Sequence, residues 1–158
     1  MRILAAAVLL LLAAATEDPA DFSGLTWIDA KPELKGKVTV VRWWTNGCPL
    51  CEGSAPALAD LSKKAAMVAV YHPKPPRDVS ADQVRAWAKS IGMPGALAVD
   101  RNWTVLDRWK APGERSFTSP TFLLDKKGRI RHVHPGGEIN SDDARELSRK
   151  IDALLAEE

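Results

Sequence analysis

Two cysteines, Cys48 and Cys51, are the only thiols in the chain, and they close the run Trp43-Trp44-Thr45-Asn46-Gly47-Cys48-Pro49-Leu50-Cys51. The pair follows an apolar, strand-like stretch, so it stands where a strand hands over to a helix. There the unpaired N–H groups of the first helical turn and the positive end of the helix dipole favour a thiolate over a thiol. Redox chemistry through a reversible disulfide is the reading this placement supports. A purely structural disulfide across so short a loop would add only roughly 2 kcal/mol on the chain-entropy model. Structural zinc takes four ligands, and the sequence has no second Cys-x-x-Cys to complete a site.

The elements that must position the pair can be read from apolar patterning. Leu25-Thr26-Trp27-Ile28 reads as a short edge strand. Val38 to Val41 is a β-branched run typical of a central strand covered on both faces, and it continues through Trp43 and Trp44. A helix is predicted from about Cys48 to Ala65, with Pro56 inside it as a kink. Met67 to Tyr71 is a second buried-type strand. The loop His72-Pro73-Lys74-Pro75-Pro76-Arg77-Asp78 forbids regular structure, because its prolines lack donors. Ser80 caps a helix that Gly92 ends, with Val84, Trp87, Ala88 and Ile91 on one face. Ala96 to Val99 is another strand, and Asn102 to Trp109 a short helix. Thr121 to Leu124, the turn Asp125-Lys126-Lys127-Gly128 and Arg129 to Val133 form a hairpin, and Ser141 caps a final helix. Strands alternating with helices and ending in a hairpin imply an α/β fold with a mixed sheet and helices on both faces.

A chain of 158 residues is enough for one domain with a sizeable core. Basic and acidic residues nearly balance, 22 against 20, and are spread along the chain, so no basic face for a nucleic acid is present. Met1-Arg2, the apolar run from Ile3 to Ala15 and the small residues Ala13-Ala14-Ala15 have the three parts of a secretory signal peptide, with an uncleaved anchor as the second reading. Residues 1–15 are thus assigned to a signal, 16–24 to a polar leader and 25–156 to the domain. Export places the protein in the periplasm or another extracytoplasmic space, where disulfides persist and a reductase needs electrons delivered through the membrane.

Taken together, these residues resemble the thioredoxin-like superfamily and, within it, the exported TlpA-like thiol–disulfide oxidoreductases. The resemblance spans roughly residues 25 to 156. It rests on the strand leading into Cys48-Pro49-Leu50-Cys51, on Pro56, on the additional strand–helix segment between Tyr71 and Trp109, and on Ser119-Pro120-Thr121-Phe122-Leu123-Leu124-Asp125 before Gly128-Arg129-Ile130. It implies a thioredoxin-like fold and dithiol–disulfide exchange, with Cys48 as the first nucleophile and Cys51 as the resolving cysteine. It also implies that Pro120 is a cis-proline facing the cysteines, and that Ser119 and Pro120 offer main chain to an extended substrate. Trp44, near the loop, is the tryptophan expected to touch that substrate, while Trp43 is expected in the core and Trp103 and Trp109 are further groove candidates.

The departures concern charge. Many relatives carry Asp or Asn at Arg42, a tryptophan at Gly47 and an acidic residue near the cysteines. Arg42 is therefore a candidate for tuning the cysteine pKa, the other reading being that it points elsewhere or pairs with an acid. A proton acceptor cannot be carried over from the family; Glu52 and Glu114 are candidates by proximity alone. The strongly oxidising relatives have histidine in the dipeptide between the cysteines, and Pro49-Leu50 lacks it, so a protein-disulfide reductase is expected. Its partners would be protein thiols and disulfides and a membrane electron-donor thiol protein. No cofactor is called for, and a monomer is expected. The alternative function is copper or zinc binding and delivery by the two thiolates plus one histidine, the candidates being His72 at a strand end and His132 and His134, which share a strand face.

Overall fold

The computed structural model describes residues 18–109 and 119–158. The proposed signal segment and Glu114 lie outside the described residues. Six strands and four helices follow one another as β1 (Thr26–Trp27), β2 (Thr39–Trp44), α1 (Pro49–Leu61), β3 (Ala66–Tyr71), α2 (Ala81–Ile91), β4 (Ala96–Val99), α3 (Thr104–Trp109), β5 (Thr121–Leu124), β6 (Ile130–His134) and α4 (Ser141–Ala156). The strands form one mixed sheet in the order β1-β4-β3-β2-β5-β6. Strands β2, β3 and β4 run parallel, β5 and β6 add antiparallel on one side, and β1 pairs antiparallel with β4 on the other.

Strand β2 sits near the middle of the sheet, and all six of its residues are buried. Its side chains alternate between the two faces. Val40 and Trp44 join one apolar cluster, built with Leu58 and Leu61 of α1, Val84 and Ala88 of α2, and Leu147 and Ile151 of α4. Val41 and Trp43 join the other, with Val105, Leu106 and Trp109 of α3 and Phe122 of β5. Helices thus cover both faces, and α1 begins at the C-terminal end of β2, where the cysteines lie.

Two boundaries differ from the sequence reading for local reasons. Helix α4 is capped by Asn140 rather than Ser141: its Oδ1 accepts the N–H groups of Asp142 at 2.8 Å and Asp143 at 3.0 Å, and the Asp143 carboxylate reaches back to the Asn140 N–H. The segment assigned to a leader docks on the sheet. Ala20 and Phe22 pack against the second cluster, Ala20 N–H bonds the Gly128 carbonyl at 2.8 Å, and Trp109 Nε1 donates to the Asp21 carbonyl at 2.9 Å. One glycine is dictated by packing: Gly95 has φ +98°, and a Cβ there would meet the Met67 carbonyl oxygen at 2.5 Å.

Candidate functional site

The chain leaves β2 through Thr45-Asn46-Gly47, where Gly47 adopts φ +69°. That conformation strains any residue with a Cβ and so favours glycine at this position. Cys48 then caps α1. Its Sγ accepts the Cys51 N–H at 3.2 Å, and its carbonyl accepts the N–H groups of Cys51 at 3.0 Å and Glu52 at 3.1 Å. Pro49 opens the helix, where its missing N–H leaves no bond unmade.

The two sulfurs are unbonded thiols and differ in access: Cys48 is half-buried, whereas Cys51, one turn into α1, is 0% exposed. Leu50 between them is 50% exposed. Burial and the neighbouring Cys51 sulfur push the Cys48 thiol up, while the Cys51 N–H and the Arg42 charge pull it down without reversing the shift. Helix-start stabilisation alone would lower it, so burial first, and then the second sulfur, act against the sequence expectation of a favoured Cys48 thiolate.

Arg42 is 0% exposed. Its Nη1 donates to Thr121 Oγ1 at 3.1 Å, and its Nη2 donates to the Gly137 carbonyl at 2.9 Å and lies 3.4 Å from Ser54 Oγ. Burial pulls the guanidinium below its ordinary range; the groups that oppose this are Cys51 first and then Cys48. The sulfurs are thus the ionisable groups whose charge bears on Arg42.

Ser119 turns its hydroxyl to Cys51, with Oγ and Sγ 3.3 Å apart, and is 5% exposed. Pro120 is also buried, and its carbonyl accepts the Trp43 N–H at 3.1 Å, extending the β2–β5 ladder. Among the described residues the cis peptide bond is Lys74–Pro75 and not Ser119–Pro120, a correction to the cis-proline expectation.

Trp44 is a second correction. It is 0% exposed and packs edge-on against Tyr71 with ring centroids 5.0 Å apart, so it belongs to the core and not to a substrate groove. Trp43 and Trp109 are likewise core residues, stacked edge to face at 5.0 Å. Trp103 ties the proline-rich loop down through a 2.9 Å bond from Nε1 to the Pro73 carbonyl. Glu52 is exposed on α1.

The histidines do not converge on the thiols. Among the described residues no group of three His, Cys, Asp or Glu side chains is arranged to hold a metal ion. His72 is buried and packs edge-on to Trp103 at 5.3 Å, while His132 and His134 lie on β6, with His134 Nε2 3.4 Å from Asp143 Oδ2. Sequence reasoning missed Ser54, whose hydroxyl joins α1 to Ile139 N–H at 2.8 Å. Its partner is 85 positions away, and no local pattern marks it.

A dithiol at the start of a helix, on the end of a central parallel strand, defines a thioredoxin-superfamily protein of the TlpA-like type. The Redoxin family model matches residues 22–151, and the chain belongs to that family. It is 30% identical over 139 residues to the thioredoxin-like protein YneN of Bacillus subtilis, covering 84% of this chain and 75% of that protein. Two solved structures share the fold. A thiol–disulfide isomerase from Corynebacterium glutamicum superposes with a TM-score of 0.65 at 21% identity, covering 90% of this chain and 96% of the other. A secreted Mycobacterium tuberculosis disulfide oxidoreductase homologous to Escherichia coli DsbE gives 0.59 at 17% identity, covering 81% and 92%. By its family and its cysteine pair, the protein is a thiol–disulfide oxidoreductase.

Proposed function

We propose that the protein is an extracytoplasmic reductase of protein disulfides that works through Cys48 and Cys51. The observation that carries this reading is the difference in access between the sulfurs: a half-buried Cys48 capping α1 and a fully buried Cys51 one turn further on. Only Cys48 can meet a sulfur from outside. Its thiolate attacks one sulfur of a substrate disulfide, the substrate S–S bond breaks, and the departing substrate thiolate takes a proton from solvent. Cys51 then attacks the Cys48 sulfur of the mixed disulfide, closing the Cys48–Cys51 bond and releasing the second substrate thiol. The two electrons gained by the substrate come from the dithiol, and a membrane thiol protein returns them.

The reducing direction is supported by what surrounds Cys48. Pro49 and Leu50 bring no cation or donor side chain to it, and burial with the Cys51 sulfur pushes its thiol up. A reduced form without extra thiolate stabilisation at Cys48 favours the disulfide, which means a low potential. Substrate would rest on exposed Pro49 and Leu50, with Ser119 behind Cys51. The extracytoplasmic setting is supported by the signal-like start of the sequence and by the secreted structural relative. Among the described residues no helix is long and apolar enough to cross a membrane.

Equilibration with glutathione and dithiothreitol buffers, followed by tryptophan fluorescence, tests the direction. The expected potential is near thioredoxin's roughly −270 mV, and a value toward roughly −120 mV would overturn it. Cys48→Ser is expected to abolish insulin reduction; full activity in that variant would overturn the mechanism.

A further inference from the structure

The second half of the exchange asks more of its sulfur than the first. Cys48 is half-buried at the helix start, whereas Cys51 is 0% exposed and belongs to the apolar cluster of Trp44, Leu58 and Tyr71. The species that attacks a disulfide is a thiolate, and a thiolate forming in apolar surroundings has no water to stabilise it. A protein group has to meet that charge. Ser119 Oγ stands 3.3 Å from Cys51 Sγ, within hydrogen-bond distance for sulfur.

The sheet sets the place of that hydroxyl. The Pro120 carbonyl accepts the Trp43 N–H at 3.1 Å, and Thr121 stands opposite Arg42 in the β2–β5 register, so Ser119 is held beside the C-terminal end of β2. It is 5% exposed. Packing alone does not explain a hydroxyl there. A neutral thiol is a weak hydrogen-bond partner, and an alanine would fill the same place at little cost. The hydroxyl becomes a strong donor once the sulfur is negative, because hydrogen bonds to an ionised acceptor are roughly twice as strong as neutral ones. It also suits either protonation state of the sulfur, since a hydroxyl can accept from a thiol and donate to a thiolate.

We propose that Ser119 is a catalytic residue of the second step, donating a hydrogen bond to the Cys51 sulfur as that sulfur attacks the mixed disulfide. This rests on the exchange reading above and moves Ser119 from the substrate to the resolving cysteine. In the first step the Cys48 thiolate breaks the substrate S–S bond, with no part for Ser119, which touches the other sulfur. In the second, Cys51 gives up its proton, the Cys51–Cys48 bond forms and the Cys48–substrate bond breaks. The departing substrate sulfur ends with that proton, the two cysteines have lost two electrons, and Ser119 keeps its own hydrogen throughout.

Mixing the reduced protein with dithiobis(nitrobenzoate), an aromatic disulfide whose thiolate is coloured, separates the two steps by stopped-flow absorbance. Attack by Cys48 releases one coloured thiolate and leaves the other bonded to Cys48; attack by Cys51 releases the second, its proton passing to the buffer. Ser119→Ala is expected to keep the first release within about twofold of wild type and to slow the second about tenfold. The Cys48 adduct should then accumulate in acid-quenched samples read by mass spectrometry. Ser119→Thr restores the hydroxyl and should restore the second release. Ser119→Gly removes it without leaving a methyl group, and gives the same reading should Ser119→Ala not fold. A second release as fast as wild type in a folded variant lacking the hydroxyl would overturn the proposal. Both releases slowing together, or Ser119→Thr as slow as Ser119→Ala, would overturn it too, since either marks a structural role. A wild-type protein that releases one thiolate and no second would instead refute the exchange reading itself.

Discussion

Ser54 is the residue whose removal most directly tests how the site is held. A hydroxyl can donate once and accept twice, and Ser54 uses all three: it donates to the Leu50 carbonyl at 2.7 Å, accepts Ile139 N–H at 2.8 Å and meets Arg42 Nη2 at 3.4 Å. It is 0% exposed, so water cannot replace it. In Ser54→Ala the Leu50 carbonyl keeps its place in the helical ladder, and the long Arg42 contact contributes little because Thr121 and Gly137 still bind that guanidinium. The main loss is the Ile139 N–H, left buried without an acceptor, at about 2 kcal/mol. For a chain of this size that is a fall of about 6 °C in Tm. Urea titration of the reduced protein by tryptophan fluorescence should show a lower midpoint with an unchanged slope. Ser62→Ala is the matched control, since the Ser62 hydroxyl only donates to Ala59 O at 2.7 Å near the end of α1; it should cost under about 0.5 kcal/mol. A Ser54→Ala protein as stable as that control would refute the assignment of Ser54 as the bolt between α1 and the loop before α4.

Two further predictions concern the core and the hairpin turn. Trp44→Phe keeps an aromatic ring against Tyr71 and loses no hydrogen bond, since Trp44 Nε1 has no partner among the described residues. It should cost about 1–2 kcal/mol through lost volume and leave the rate of exchange with a protein disulfide within twofold of wild type; a tenfold drop in a folded variant would put Trp44 back at the substrate. Burial alone would raise the Asp125 carboxyl, but the Arg129 N–H and guanidinium, Arg131 and the Lys127 N–H outweigh it and hold it below the usual carboxylate range. Because the folded carboxyl binds its proton less readily than the unfolded one, this stability is present above about pH 4 and is lost as pH falls below that. Asp125→Ala should therefore cost about 2 kcal/mol at neutral pH and flatten the acid limb of the stability curve, read by denaturation from pH 7 to pH 3. An unchanged acid limb would show that other carboxylates carry it.

The elements that sequence patterning located well are those whose signals are local. Strand β2 is β-branched and aromatic from end to end, and α2 carries its own stops, with a reciprocal cap from Ser80 and Gln83 and a left-handed Gly92. The cap of α4 was legible too, under a stricter test. Asn140 has an acid three positions on at Asp143, whereas Ser141 has Ala144 there, and only the first arrangement can bond in both directions. Phe22 had no such signal. A single aromatic among Asp21, Ser23 and Gly24 reads as a polar leader until Trp27 and Trp109 are known to stand beside it.

The same distinction separates the two halves of the site. The cysteines and their helix cap lie within four residues, so strand, glycine turn and thiols are visible together. Arg42 was half visible. A residue inside an unbroken run of buried strand has no solvent face to point toward, so once β2 is taken as covered on both sides, Arg42 must be buried whichever way it points. What the run cannot show is the partner. Thr121 reaches Arg42 only through the β2–β5 register, and Gly137 arrives from 95 positions away. A buried arginine read from sequence therefore asks for an anion without naming it, and a carboxylate is the ordinary answer. Here the fold supplies two hydroxyls and a carbonyl instead. A buried charge in a central strand is thus held by neutral groups that only the fold brings together, which is why the run itself cannot name them.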